Sequence, residues 1–207
     1  MDASFFERDT VVVARELVGK ILIVRDSKTK KKYKTRIVET EAYRGEDPAS
    51  HSARGWTKRC APMFEEPART YVYFIYGMYQ MLNFVTEPDG IAGAVLIRAL
   101  DPLTGFGAEK THKLLNGPGK LCRELGIVAD DNRKPLMKGR FQVQDDGVVP
   151  ELIRVTPRVG IREEKPFRPW RFIWAGHPAV SKVKENAVIL DEIFLGETLS
   201  IKKADFP

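Results

Sequence analysis

Apolar positions recur along the chain first at helical and then at two-residue spacing. Val11, Ala14, Leu17 and Val18 fall on one stripe, which predicts a helix over residues 11–18, capped by Asp9 or Thr10 and stopped by Gly19. Residues 20–25 (K-I-L-I-V-R) read as a strand. The Lys-rich run 28–34 reads as a solvated turn, and residues 33–43 as the antiparallel return of a hairpin. Residues 45–66 are polar, rich in turn formers and nearly aperiodic, and a loop of that length in a compact domain calls for a function or for disorder. A β-meander follows: strands over 70–76 and 79–86 joined at Gly77 and Met78, then a turn at 87–90 and a strand over 92–100. N-G-P-G at 116–119 opens a short helix to about Leu125, with Pro118 in its first turn and Gly126 at its end. Further on, residues 127–150 suggest a strand or two within loops, 155–161 a loop, 170–175 a strand and 187–202 strand-like runs. With no repeat or linker in view, the pattern predicts one α+β domain over residues 1–207. It would be a largely antiparallel curved sheet with flanking helices and a protruding hairpin.

Composition narrows this only a little. The 207 residues suffice for one good-sized core, and no apolar run approaches the length of a membrane span. Asp2, Glu7 and Asp9 break up any basic-then-apolar leader pattern, so the expectation is a protein that is not exported. Cys60 and Cys122 lack metal-ligand spacing and suit reduced thiols. A net charge of +6 is compatible with a polyanionic partner but does not require one.

Candidate chemistry concentrates in residues 35–51 (T-R-I-V-E-T-E-A-Y-R-G-E-D-P-A-S-H). Glu39 and Glu41 are two apart on a strand and therefore share a face, which Tyr43 continues before a loop leads to His51. Carboxylates on a strand can simply be a solvated stripe, with Arg36 and Arg98 at hand for ion pairs. The chemical alternative is a carboxylate that activates a water beside an Arg. The run Tyr71, Tyr73, Phe74, Tyr76, Tyr79 can equally be packing, since aromatics favour strands. Y-G-M-Y at a hairpin tip resists that reading, because large apolar groups at an exposed tip cost solubility unless they touch something. Three histidines and no spaced cysteines make a zinc site improbable, and dinucleotide-binding, phosphate-loop and nucleophile-elbow patterns are missing, so no metal or cofactor is expected.

Taken in order, these strings resemble the alkyladenine (3-methyladenine) DNA glycosylase family. They are R-I-V-E-T-E-A-Y-R-G (36–45), H-S (51–52), Y-V-Y-F-I-Y-G-M-Y (71–79), Asn83 and L-I-R-A-L-D-P (96–102). N-G-P-G-K-L-C (116–122), P-R-V-G-I (157–161) and P-W-R-F (169–172) continue the match. It covers nearly the whole chain, and without the long N-terminal tail of some vertebrate members it resembles a compact, prokaryotic form.

The resemblance implies a base-excision-repair enzyme. Such an enzyme flips alkylated or deaminated purines out of duplex DNA and hydrolyses the N-glycosidic bond, leaving an abasic site without nicking the strand. By position, Glu41 matches the general base and Arg98 a residue that holds the attacking water, with the backbone near Val159 as a third contact. Tyr43 would stack on one face of the flipped base, with His51 and Tyr73 on the other. Asn83 would crowd the 2-amino group of guanine, and Tyr76 would fill the gap left in the duplex. Met63, Met78, Tyr79 and Lys120 fall in strings that approach DNA, and Glu39 falls to support. The expected setting is the cytoplasm of a prokaryote, at the nucleoid, as a monomer acting on damaged double-stranded DNA without membrane or cofactor. An electron-rich aromatic sandwich would favour cationic N-alkylated purines. A non-catalytic binder of distorted DNA and an RNA-binding module remain the rival readings of the same features.

Overall fold

The computed structural model describes residues 1–107, 110–161 and 168–195. Strand pairing there is antiparallel throughout. The strands are β1 (Ile21–Arg25), β2 (Lys32–Arg44), β3 (Thr70–Ile75), β4 (Tyr79–Val85), β5 (Gly93–Thr104), β6 (Phe141–Gln144), β7 (Leu152–Thr156), β8 (Arg171–Trp174) and β9 (Asp191–Phe194). They form one sheet in the order β3-β4-β5-β2-β8-β7-β9, with β1 attached to β2 and β6 to β1. Two helices flank it, α1 (Thr10–Leu17) and α2 (Pro118–Glu124). Asp9 caps α1 by accepting from the Val11 and Val12 amides. The chain is thus α+β, as the periodicity predicts. The expected loop at 155–161 needs correcting, since Val155 and Thr156 complete β7. Of the run 187–202, Asp191–Phe194 is a strand, and residues 196–202 lie outside the described residues.

β2 is the axis of the sheet. One edge pairs with β5 along nearly its whole length, while the other is shared by β1 at its start and β8 beyond Glu39. Thr40 Oγ1 donates to the Ala14 carbonyl of α1 at 2.7 Å, and Ala42 joins the main core. Even positions of this half of β2 therefore face α1, and Glu39, Glu41 and Tyr43 face the other way. The β2–β5 ladder slips twice here. Ile37 pairs with Leu100 but Glu39 with Ala99, which leaves Val38 over on β2; Thr40 then pairs with Ile97, which leaves Arg98 over on β5. Two opposed bulges restore the register and re-aim the side chains between them.

Opposite α1, residues 45–66 fold back over β3, β4 and β5. Cys60 and Met63 from this segment pack with Tyr71, Val85 and Ala94 into a second small core, with the short 3-10 helix Ala61–Phe64 at its centre. Apolar burial therefore holds a segment that lacks periodic pattern. The β3–β4 hairpin turns at Tyr76 and Gly77, both at positive φ (54° and 68°). Gly suits that geometry; Tyr adopts it at a cost in strain. The second half of the hairpin is braced by α2, where a Cβ on Gly119 would lie 2.7 Å from the Tyr79 ring.

Candidate active site

On the side of β2 turned away from α1, the chain encloses a cavity of about 350 Å³, near the lower bound for small-molecule sites. Its lining comes from five places: β2 (Tyr43), the 45–66 segment (His51, Met63), the hairpin and β5 (Tyr71, Tyr73, Tyr76, Asn83, Arg98), α2 (Pro118), and Val159 with its neighbours.

Glu41 sits beside this cavity with no exposed surface. Its Oε1 accepts from the Val159 amide at 2.8 Å and lies 3.4 Å from Arg98 Nη1. Its Oε2 accepts from the Tyr43 hydroxyl at 2.8 Å. Burial first, and the Glu41 charge second, push the Tyr43 phenol well above its usual value, so it remains a donor. A buried carboxylate gripped by an amide, a phenol and a guanidinium is fixed in rotamer and is a competent base for one ordered water. Since the Val159 N–H is committed to Glu41, a water there would have to use the Val159 carbonyl.

Glu39 is equally buried but holds up the structure around it. It accepts from Arg98 Nε and Arg171 Nε, both at 2.8 Å, and from the Ser181 amide (2.8 Å) and hydroxyl (2.9 Å). Burial pushes its carboxyl up, but Arg171, Arg98 and the Ser181 bonds outweigh that and leave it below the usual value. Arg98, the bulged residue of β5, therefore reaches both carboxylates. Arg36, the other basic candidate, pairs with Asp146 instead.

The His51 and Tyr73 rings stand next to each other, centroids 4.5 Å apart at 74°. His51 Nδ1 lies 2.9 Å from the Tyr71 hydroxyl. Burial, then the nearby Arg59, lower the His51 pKa below 6.5, so the ring is neutral near neutral pH. Burial and the Glu41 charge push the Tyr73 phenol to about 12. Asn83 is 3% exposed and donates its amide to the Tyr71 and Met81 carbonyls, which fixes it in the cavity wall.

Tyr76 and Met78, at the tip, are 79% and 64% exposed, with Phe74 and Tyr79 beside them. This contiguous apolar tip projects from the rim of the cavity. Lys120 is exposed on α2, its Nζ on Asn116 Oδ1. Met63 is 1% exposed and lines the cavity. Sequence reasoning named Tyr71 in the aromatic run but gave it no role in the site, although it shares a strand face with Tyr73. It passed over Arg158, one residue before Val159, which forms a buried ion pair with Asp47. Among the described residues no group of acidic, His or Cys side chains could hold a metal.

The family model described as Methylpurine-DNA glycosylase (MPG) matches residues 4–178. A protein of Methanocella arvoryzae named "Putative 3-methyladenine DNA glycosylase" is 42% identical over 191 residues, 86% of this chain and 94% of its own length. Proteins of the same name from Chlorobium phaeobacteroides (43% over 189 residues; 87% and 95%) and Prosthecochloris aestuarii (42% over 203 residues; 91% and 97%) are similarly related.

Proposed function

The chain belongs to the methylpurine-DNA glycosylase family and is a DNA glycosylase of the 3-methyladenine type; from that premise we propose that it flips a damaged purine into the cavity beside Glu41 and hydrolyses its glycosidic bond with a Glu41-activated water. Extruding a nucleotide costs a few kcal/mol of stacking, so the gap must be filled and the base received. Tyr76, held outward by its turn, fills the gap; Tyr43 on one side and His51 with Tyr73 on the other receive the base. Asn83 limits what fits at the base edge.

As the C1′–N bond lengthens towards an oxocarbenium-like state, Glu41 takes a proton from the water that attacks C1′. Arg98 lies at the same carboxylate and helps orient the water, and the backbone at Val159 offers a further contact. The electrons of the broken bond leave with the base. No lysine is among the described residues lining the cavity, which supports a monofunctional enzyme that leaves the abasic strand intact. We propose a single domain acting as a monomer, at the nucleoid; among the described residues no helix is long and apolar enough to cross a membrane.

One observation carries this reading: the fixed, fully buried Glu41 carboxylate, held by three residues that line the cavity, Tyr43, Arg98 and Val159. A protein that only recognised distorted DNA would have no use for it. Duplexes carrying hypoxanthine, ethenoadenine, 3-methyladenine or 7-methylguanine, scored for free base and strand integrity, test the proposal. Free purine with an uncleaved abasic strand is expected, and no release from any of them would overturn it.

A further inference from the structure

Arg158 is among the largest fully buried side chains, and the reaction above gives it no task. Its guanidinium pairs with Asp47, donates to the Ala42 carbonyl at 3.0 Å and lies over two rings, Tyr43 at 4.8 Å and Trp170 at 5.4 Å. Tyr43 lines the cavity and Arg158 does not, so the cation covers the face of Tyr43 turned away from the bound base. The opposite wall repeats the arrangement. Arg59 lies over the Tyr73 ring at 5.6 Å and likewise does not line the cavity.

A cation is attracted to an aromatic face by the ring quadrupole, and a guanidinium already seated on one face draws on the same electron density. The free face is then less negative, and a second cation meets like charge across the ring. Asp47 offsets part of the Arg158 field, but the guanidinium is the group lying over the ring. We infer that Arg158 and Arg59, backing the two aromatic walls, shift binding in the cavity towards neutral purine lesions and away from cationic ones, against the pull that the Glu41 carboxylate on Tyr43 exerts on a cation. This inference rests on the glycosylase reading, and it reverses the sequence-based expectation that the aromatic walls favour cationic bases. Cationic lesions remain substrates, because their weak glycosidic bonds raise the rate of the chemical step. Their handicap lies in binding.

Equilibrium binding and single-turnover release, compared for duplexes carrying neutral hypoxanthine and cationic 7-methylguanine, read the two effects apart. The wild-type protein is expected to bind the hypoxanthine duplex more tightly, in part because Asn83 crowds the 2-amino group that 7-methylguanine carries, so the arginines are read from the change in the ratio. Arg59→Gln, and the pair Arg158→Gln with Asp47→Asn, should each move the binding ratio towards 7-methylguanine by about two- to fivefold. Arg158→Lys keeps the charge and should preserve the ratio. A ratio unmoved in Arg59→Gln and in the double variant, or affinities that fall equally for both duplexes, would overturn the inference and leave these arginines a structural role. Tighter wild-type binding of 7-methylguanine would overturn it too. Lesion-selective binding without base release would instead refute the glycosylase reading, and the ratio would still report on the arginines.

Discussion

Glu39 and Glu41 share a strand face and are equally buried, yet their partners divide them. Glu39 is saturated by Arg98, Arg171 and Ser181, of which only Arg98 lines the cavity, whereas all three partners of Glu41, Tyr43, Val159 and Arg98, line it. Removing one partner of a buried ion pair leaves the other charge uncompensated. Glu39→Gln should therefore lower unfolding free energy by on the order of 3 kcal/mol in urea titrations; a loss no larger than an exposed pair gives would mean the network is not what holds β2 to β5 and β8. His51 carries a second prediction. Its pKa is lowered in the folded state by burial and by Arg59, so the unfolded chain binds the proton more readily. Stability is therefore complete above 6.5 and declines as pH falls below it, and His177, lowered mainly by burial, contributes in the same window. Denaturation midpoints at about pH 7 and about pH 5 should show this acid loss, and His51→Phe should reduce it. At this scale strand alternation placed Glu41 and Tyr43 on one face and Tyr71 and Tyr73 on another, while His51, on a loop, was marked only by its nearness to Tyr43 and by the family motif. It could not mark Asp47 against Arg158, or Arg171 against Glu39, whose partners are 111 and 132 positions apart in the chain.

The hairpin and the bulged pair of strands divide the work among the elements. Met78 N–H closes the turn on the Ile75 carbonyl at 3.2 Å, and the close contact of Gly119 with Tyr79 steadies the outgoing strand. The tip is thus a hydrogen-bonded turn that presents its side chains outward, as a wedge requires. Tyr76→Ala should weaken binding to a lesion-bearing duplex by about 1–3 kcal/mol, read by fluorescence anisotropy. Release from a labile lesion at saturating protein should be nearly unchanged. Undiminished affinity would remove the wedge role. Most strands and α1 were legible in the periodicity and α2 in its opening N-G-P-G, because each pattern is local; β7 was not, its end having the look of a loop. The bulges that leave Val38 and Arg98 over were not: they depend on which residue of β5 meets which residue of β2, and neither strand alone records that pairing. The 45–66 segment was legible only as a loop, since its order comes from Cys60 and Met63 packing onto distant strands.

For the whole molecule, an apolar wedge and a base-sized cavity stand on a protein of net charge +6. Duplex binding that neutralises phosphates must release counterions, so the logarithm of the binding constant should fall linearly with the logarithm of salt, about 0.9 per phosphate contact. Damaged and undamaged duplexes should share that slope, because the lesion is read in the cavity and not at the backbone; salt-independent binding would remove the electrostatic part of the account. The architecture and the enzyme class were both open to sequence reading, the first through periodicity and the second through ordered motifs. The charges behind the aromatic walls emerged only from the folded chain. The central claim is that Glu41 activates the water that cleaves the glycosidic bond. Its most direct test is Glu41→Gln on a hypoxanthine duplex, with binding and single-turnover base release measured side by side. The account predicts near wild-type binding with release slowed by about 100-fold or more, and release at the wild-type rate would contradict it.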